Sequence, residues 1–240
     1  MNAAEFRNEF DILYNNIMSN AAPPVNAYEI SVFLTKAQEE IVKSYCLGRP
    51  NMFRSADLNE DSKEILRPLY KQFKEVAPTE VDAYNTFKIF KVEQPSDLFY
   101  IQQESVQLNT ESPCLINRKL IVIPTPLDKL HKLLANPHKS PNTKRAFRVE
   151  WYEGESGIFL VNGSTLKNYS MIYVKKPSPI VVEDISSYGV TVDGISSPLT
   201  PVCELPDMIH REIVNRAVEL AKSTYMGDLS STIALNSRNQ

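Results

Sequence analysis

Imidazoles, thiols, a serine between glycines and paired carboxylates are the groups in this sequence that could carry out chemistry. His131, His138 and His210 follow neither HExxH nor a Cys/His zinc spacing, so surface or interface positions are expected and a metal centre is not. Cys46, Cys114 and Cys203 are odd in number, far apart and outside any CxxC pair, which reads as buried reduced thiols. Gly154-Glu155-Ser156-Gly157 comes close to a nucleophile elbow, but Ile158 occupies the place of the second glycine that GxSxG requires. Glu39-Glu40 and Glu60-Asp61 have lysines nearby on amphipathic stretches, the pattern of a solvated helix face rather than of acid/base catalysis. Seven glycines against sixteen prolines leave no Walker A or dinucleotide-binding fingerprint. No catalytic residue, metal ligand or cofactor is expected.

One local concentration of positive charge remains: His138, Lys139, Lys144, Arg145 and Arg148, around an Asn-Pro turn. Such a cluster is either solvated hairpin surface or, if repeated around a ring of subunits, a contact for passing DNA or an acidic neighbour. Neither use implies base-specific contacts. A net charge of -3 and a pI near 5.7 argue against tight DNA binding by a single copy. A nucleic-acid-binding accessory protein acting through residues 138–148 is the alternative reading.

The elements that must carry these residues follow from periodicity. Phe6, Phe10, Leu13, Tyr14 and Ile17 recur at helical spacing and predict an amphipathic helix over 3–19. Asn26 with Glu29 is a capping-box pattern opening a second helix over 28–45, with Ile30, Phe33, Leu34, Ala37, Ile41 and Tyr45 as its buried stripe. A third helix is expected after Asp57 and Glu60, with Ile65, Leu66, Leu69, Tyr70 and Phe73 on one face and a kink at Pro68. From residue 77 the pattern turns to β-branched and aromatic runs at 86–92, 98–108, 120–123, 146–152, 158–161 and 169–175. Between the third and fourth of these, Thr125-Pro126-Leu127-Asp128 reads as cap, first-turn proline and acidic first turn of a short helix.

Residues 177–206 are rich in proline and serine and read as an extended arm or edge strands; Pro206 and Asp207 then start a last helix. Residues 228–240 form a polar tail expected to order only on a partner, with Leu229, Ile233, Leu235 and Arg238 as candidate inter-subunit contacts. The fold class is therefore α+β. A helical bundle over 1–76, completed by the helix at 206–227, precedes an antiparallel β-rich domain with a short helix over 77–182, an arm over 183–205 and the tail. No apolar run approaches the roughly 20 residues that cross a bilayer, and the first nine residues are polar and acidic, so a protein made in a cytosol without a membrane partner is expected.

Four segments carry a family likeness. They are Tyr28-Glu29-Ile30-Ser31-Val32-Phe33-Leu34-Thr35-Lys36-Ala37-Gln38-Glu39-Glu40; Asn136-Pro137-His138-Lys139 leading to Ala146-Phe147-Arg148; Lys175-Lys176-Pro177-Ser178-Pro179-Ile180; and Glu204-Leu205-Pro206 followed by residues 210–221. Together they span nearly the whole chain and resemble head-to-tail connector, or tail-tubular ring, proteins of crAss-like and related short-tailed bacteriophages.

The resemblance implies a non-enzymatic virion protein of the neck or tail, assembled in the host bacterial cytoplasm. Its implied partners are further copies of itself in a ring of about twelve, the portal protein, other tail or ring proteins, and the genomic DNA that passes through the channel. A ring of heterologous contacts needs two different complementary surfaces per subunit.

Overall fold

The computed structural model describes residues 1–17, 24–47, 60–76, 78–84, 87–109, 119–142, 144–150, 156–161 and 165–226. Packing divides the chain into unit 1, Met1–Leu69 with Lys176–Gln240, and unit 2, Tyr70–Lys175. Residues 183–205 thus belong by packing with the helices at the two ends of the chain. The class is α+β, with a mixed sheet.

Unit 1 is built on α1 (Ala3–Ile17), α2 (Ala27–Leu47), α3 (Glu60–Leu66) and α5 (Asp207–Met226), with α4 reserved for a helix of unit 2. The box expected at Asn26 forms in both directions: Glu29 N–H donates to Asn26 Oδ1 at 2.9 Å, and Asn26 N–H donates to Glu29 Oε2 at 2.9 Å. Asn2 and Glu5 repeat the same pair of bonds at the start of α1, each at 2.8 Å. α5 supplies Ile209, Ile213, Val214, Ala217, Val218 and Ala221 to the core and packs along α2 and α1. Phe6, Phe10 and Tyr14 of α1 and Ile30, Leu34, Ala37, Ile41 and Val42 of α2 complete that core.

The chain between unit 2 and α5 is the least regular part of unit 1 and still buries Ile180, Val181, Val182, Ile185, Val192, Cys203 and Leu205. Its first stretch lies extended on α2, where the buried side chains Ser31, Thr35 and Gln38 meet it. Thr35 Oγ1 accepts the Ile180 N–H at 3.1 Å, Ser31 Oγ accepts the Val182 N–H at 3.1 Å, and Gln38 Nε2 donates to the Ser178 carbonyl at 3.3 Å. Each hydroxyl also donates to a carbonyl four residues back in α2, Ser31 to Ala27 at 2.7 Å and Thr35 to Ser31 at 2.8 Å. A hydroxyl with its hydrogen committed to the helix presents only lone pairs outward, which suits an incoming N–H. Further on, a tight turn at Asp193-Gly194, both at positive φ (48° and 81°), joins Val192 to Ile195.

Unit 2 is one eight-stranded sheet in the order β1-β8-β4-β5-β6-β7-β3-β2. Its strands are β1 (Tyr70–Val76), β2 (Thr79–Tyr84), β3 (Phe87–Val92), β4 (Leu98–Asn109), β5 (Lys119–Pro124), β6 (Arg145–Glu150), β7 (Ser156–Val161) and β8 (Thr165–Lys175), and α4 is Leu127–Leu134. Three expectations change here. The third helix ends at Leu66, passes through a single 3-10 turn at Arg67–Leu69, and gives way to β1. Pro68 has no N–H to continue the α-helical ladder, and residues 70–76 instead pair antiparallel with β8 from Tyr70 opposite Val174 to Val76 opposite Asn168.

The sheet, expected to be antiparallel, contains one parallel pair, β5 with β6. A parallel neighbour needs a crossover, and α4 with the turn after it provides one. Thr125 does not cap α4. Pro126 stands at the cap position, and the Thr125 hydroxyl donates to the Ile123 carbonyl at 3.2 Å.

α4 covers part of one sheet face with Leu130, packed on Ile89, Phe147 and Val149. The opposite face carries the larger cluster, which includes Phe90, Val106, Leu120, Val122, Tyr169, Met171 and Tyr173.

Candidate functional site

The turn at 136–145 is shaped by side chains bonding to their own backbone. Asn136 Oδ1 accepts the His138 N–H at 3.0 Å, and Asn142 Oδ1 accepts the N–H groups of Lys144 and Arg145 at 2.9 and 3.2 Å. The Arg145 guanidinium folds back over it, donating through Nε to the Ser140 carbonyl at 3.2 Å and through a terminal nitrogen to the His138 carbonyl. Arg145 is therefore half-buried and occupied in bracing the turn, while His138, Lys139 and Lys144 are exposed.

Arg148 is set apart from these. It is 8% exposed, on the larger core side of the sheet, and its Nε donates to Oε2 of the buried Glu104 at 2.9 Å while its NH1 reaches Glu150. Tyr169 donates its hydroxyl to the other oxygen of Glu104 at 2.5 Å. Burial works against the guanidinium charge, but Glu104 and Glu150 outweigh it and hold the Arg148 pKa above its usual value. Burial, reinforced by the Glu104 charge, pushes the Tyr169 phenol far above its ordinary range. The ion pair fills positions inside the sheet and offers no charge to a ligand.

Sequence reasoning missed the contribution of α4. Lys129 and Lys132 on that helix are exposed, like Lys139 and Lys144 in the turn that follows. Among the described residues none of these four ammonium groups has a salt-bridge partner. The signal was available as a segment census: residues 129–148 hold six lysines and arginines and no aspartate or glutamate, in a chain whose totals are 26 and 29. Exposed Ile121 and Leu127 adjoin this face; Ile121 is opposite Arg145 in the β5–β6 pairing and Leu127 opens α4.

A second polar cluster went unforeseen because its members are far apart in sequence. His210, 3% exposed, contacts the Leu205 carbonyl through Nε2 at 2.9 Å and the Met1 amino group through Nδ1 at 2.9 Å. Nδ1 faces both the Met1 amine and Asp207 Oδ1, the latter at 3.1 Å, while Nε2 faces the Leu205 carbonyl, so both ring nitrogens have polar partners. Burial lowers its pKa from the ordinary value. The Met1 amine also pairs with Asp207, and the Phe6 ring stands 5.1 Å from the imidazole.

The thiols of Cys46 and Cys203 are free and buried, each pushed up to about 11 by burial. Among the described residues no three of His, Cys, Asp and Glu gather as a metal-binding group, and no helix is long and apolar enough to cross a membrane. Cys114 and the four tail positions Leu229, Ile233, Leu235 and Arg238 lie outside the described residues.

Comparison with known proteins extends over the whole chain. The family model for phage tail ring protein 3/4 matches residues 1–232. Ring protein 4/5 of Bacteroides phage crAss001 is 38% identical, with 100% of both chains covered. Ring protein 3 of the same phage is 28% identical over 92% of this chain and 95% of its own. Since the described residues of both units fall within the matched range, the likeness concerns the complete described fold, and the chain belongs to the crAss-like phage tail ring protein 3/4 family.

Proposed function

We propose that this phage tail ring protein is a structural subunit of the portal–tail connector. About twelve copies close into a ring. The ring joins the capsid portal to the tail, encloses the channel through which genomic DNA leaves, and contacts other tail or ring proteins on its two faces. Assembly takes place in the host cytoplasm, and the subunit performs no reaction. The observation that carries this reading is the end-to-end similarity to ring proteins.

Two features support it physically. Glu104, Arg148 and Tyr169, buried in unit 2, are engaged with one another, whereas the lysines of α4 and its turn are exposed and have no salt-bridge partner among the described residues. The tail residues Leu229, Ile233, Leu235 and Arg238 are further proposed contacts with a neighbouring subunit, which a polar terminus can make by strand addition.

Electron cryomicroscopy of purified virions, with the chain fitted to density, tests the proposal. The expected result is a single closed ring of this chain between the portal and the distal tail. Particles that lack the chain, or that hold it as isolated copies, would overturn it.

A further inference from the structure

The lysine-rich face has a counterpart within the same sequence. Residues 177–210 contain Glu183, Asp184, Asp193, Glu204 and Asp207 and no lysine or arginine. Unit 1 turns the apolar side chains of this stretch inward and leaves Glu183, Asp184, Asp193 and Asp207 exposed, with Asp193 beside Lys176 and Asp207 beside the Met1 amine. α1 adds Glu5, Glu9 and Asp11 against one base, Arg7, which is already paired with Glu183 and Asp11. Large apolar side chains stand among these acids: Tyr188 is 75% exposed, Met208 69% and Ile12 59%.

We propose that the two faces bind each other between adjacent copies: the acidic face of unit 1 in one subunit docks on the lysine-rich face of α4 and its turn in the next. The inference rests on the ring reading and names the surfaces that close the ring. A heterologous ring needs two unlike patches per subunit, and these two are opposite in charge. Like faces repel, so the contact runs head to tail and not face to face.

Two observations favour a sister chain over DNA as the partner of the lysines. Ile121 and Leu127 beside them, and Tyr188 and Met208 beside the acids, offer apolar surface that a phosphate backbone does not use and a protein interface does. With a net charge of -3, a copy carries no surplus of positive charge to draw DNA toward this face, whereas the carboxylates of a sister chain complement it directly.

The test uses full-length chains incorporated into virions. A chain carrying both Lys144→Cys and Asp184→Cys, treated in purified particles with a bifunctional maleimide, is expected to give a ladder of covalent multimers. Chains carrying only one of the two substitutions, which keep the native cysteines, are expected to give none.

In parallel, Lys139→Glu with Lys144→Glu, and separately Glu183→Lys with Asp184→Lys, should each lower the copies per particle by about tenfold or more. All four substitutions together should restore incorporation, and circular dichroism should show every variant folded. A ring present in the particles but no ladder above the controls would overturn the inference and leave the ring reading standing. So would unchanged incorporation of the glutamate variant combined with loss of DNA delivery, which would assign the lysines to DNA. Absence of the unsubstituted chain from particles would overturn the ring reading itself.

Discussion

Arg148 and Glu104 show what a buried charge demands of its surroundings. Tyr169 also donates to Glu104, but Arg148 is its charge partner, so removing Arg148 leaves an uncompensated carboxylate in the sheet. Arg148→Met is expected to cost about 3–5 kcal/mol in urea unfolding, and the pair Glu104→Met with Arg148→Met clearly less than the single change. His210 gives a pH dependence. Its folded pKa lies below the ordinary imidazole value, so the unfolded chain binds the proton first as pH falls. Stability is then full above about pH 6.5 and declines below it, and in the His210→Gln variant this part of the decline should be absent. Urea midpoints at several pH values check both statements.

These two residues also mark how far sequence could be followed. The cluster at 138–148 was visible as charge, but nothing local distinguishes Arg148 from Lys144. The difference lies in Glu104 and Tyr169, 44 and 21 positions away, which a scan of neighbouring residues does not reach.

At the scale of elements, what was legible was what is closed locally. The Asn26–Glu29 box, the stripes of the first two helices and the helix beginning at Asp207 depend on residues three or four apart, and the structure has the box, the helices and most of the stripes, with Leu13 and Tyr45 only half-buried. The stretch at 70–76 was misread because Tyr70 and Phe73 continue the helical spacing of Ile65, Leu66 and Leu69. Its pairing partner, β8, lies about a hundred residues on, and that partner decides the conformation. Strand direction was equally hidden, since an apolar run looks the same whether its neighbour is parallel or not.

Nothing local sets Ser31, Thr35 and Gln38 apart from other polar positions on a helix. Their partners are backbone groups 140 to 151 residues away. Thr35→Val keeps the shape of the side chain and strands the Ile180 N–H without an acceptor. It is expected to cost about 1–3 kcal/mol, as is Ser31→Ala through Val182. Amide hydrogen exchange should quicken at Ile180 or Val182 in the matching variant, and equal protection in both variants would refute the assignment.

For the molecule as a whole, α5 packs its buried stripe along α2 and α1 among the described residues of unit 1. Deleting residues 228–240 should therefore leave the far-ultraviolet circular dichroism and the thermal midpoint of the subunit close to those of the full chain. Incorporation into particles should fall. A truncated chain that fails to fold, or one that assembles normally, would each contradict the role proposed for the tail.

Unit 1 is drawn from both ends of the polypeptide, and this sets an order on its synthesis. On the ribosome α1 and α2 emerge early, but α5 follows only after roughly 180 further residues, on the order of ten to forty seconds at bacterial elongation rates. Unit 2 can complete itself within that interval; the helices ahead of it wait with their apolar stripes unmatched. On the proposed head-to-tail contact, a nascent chain that has made its lysine-rich face but not yet residues 177–210 lacks most of the acidic face, so two such unfinished chains would have little to bind each other with.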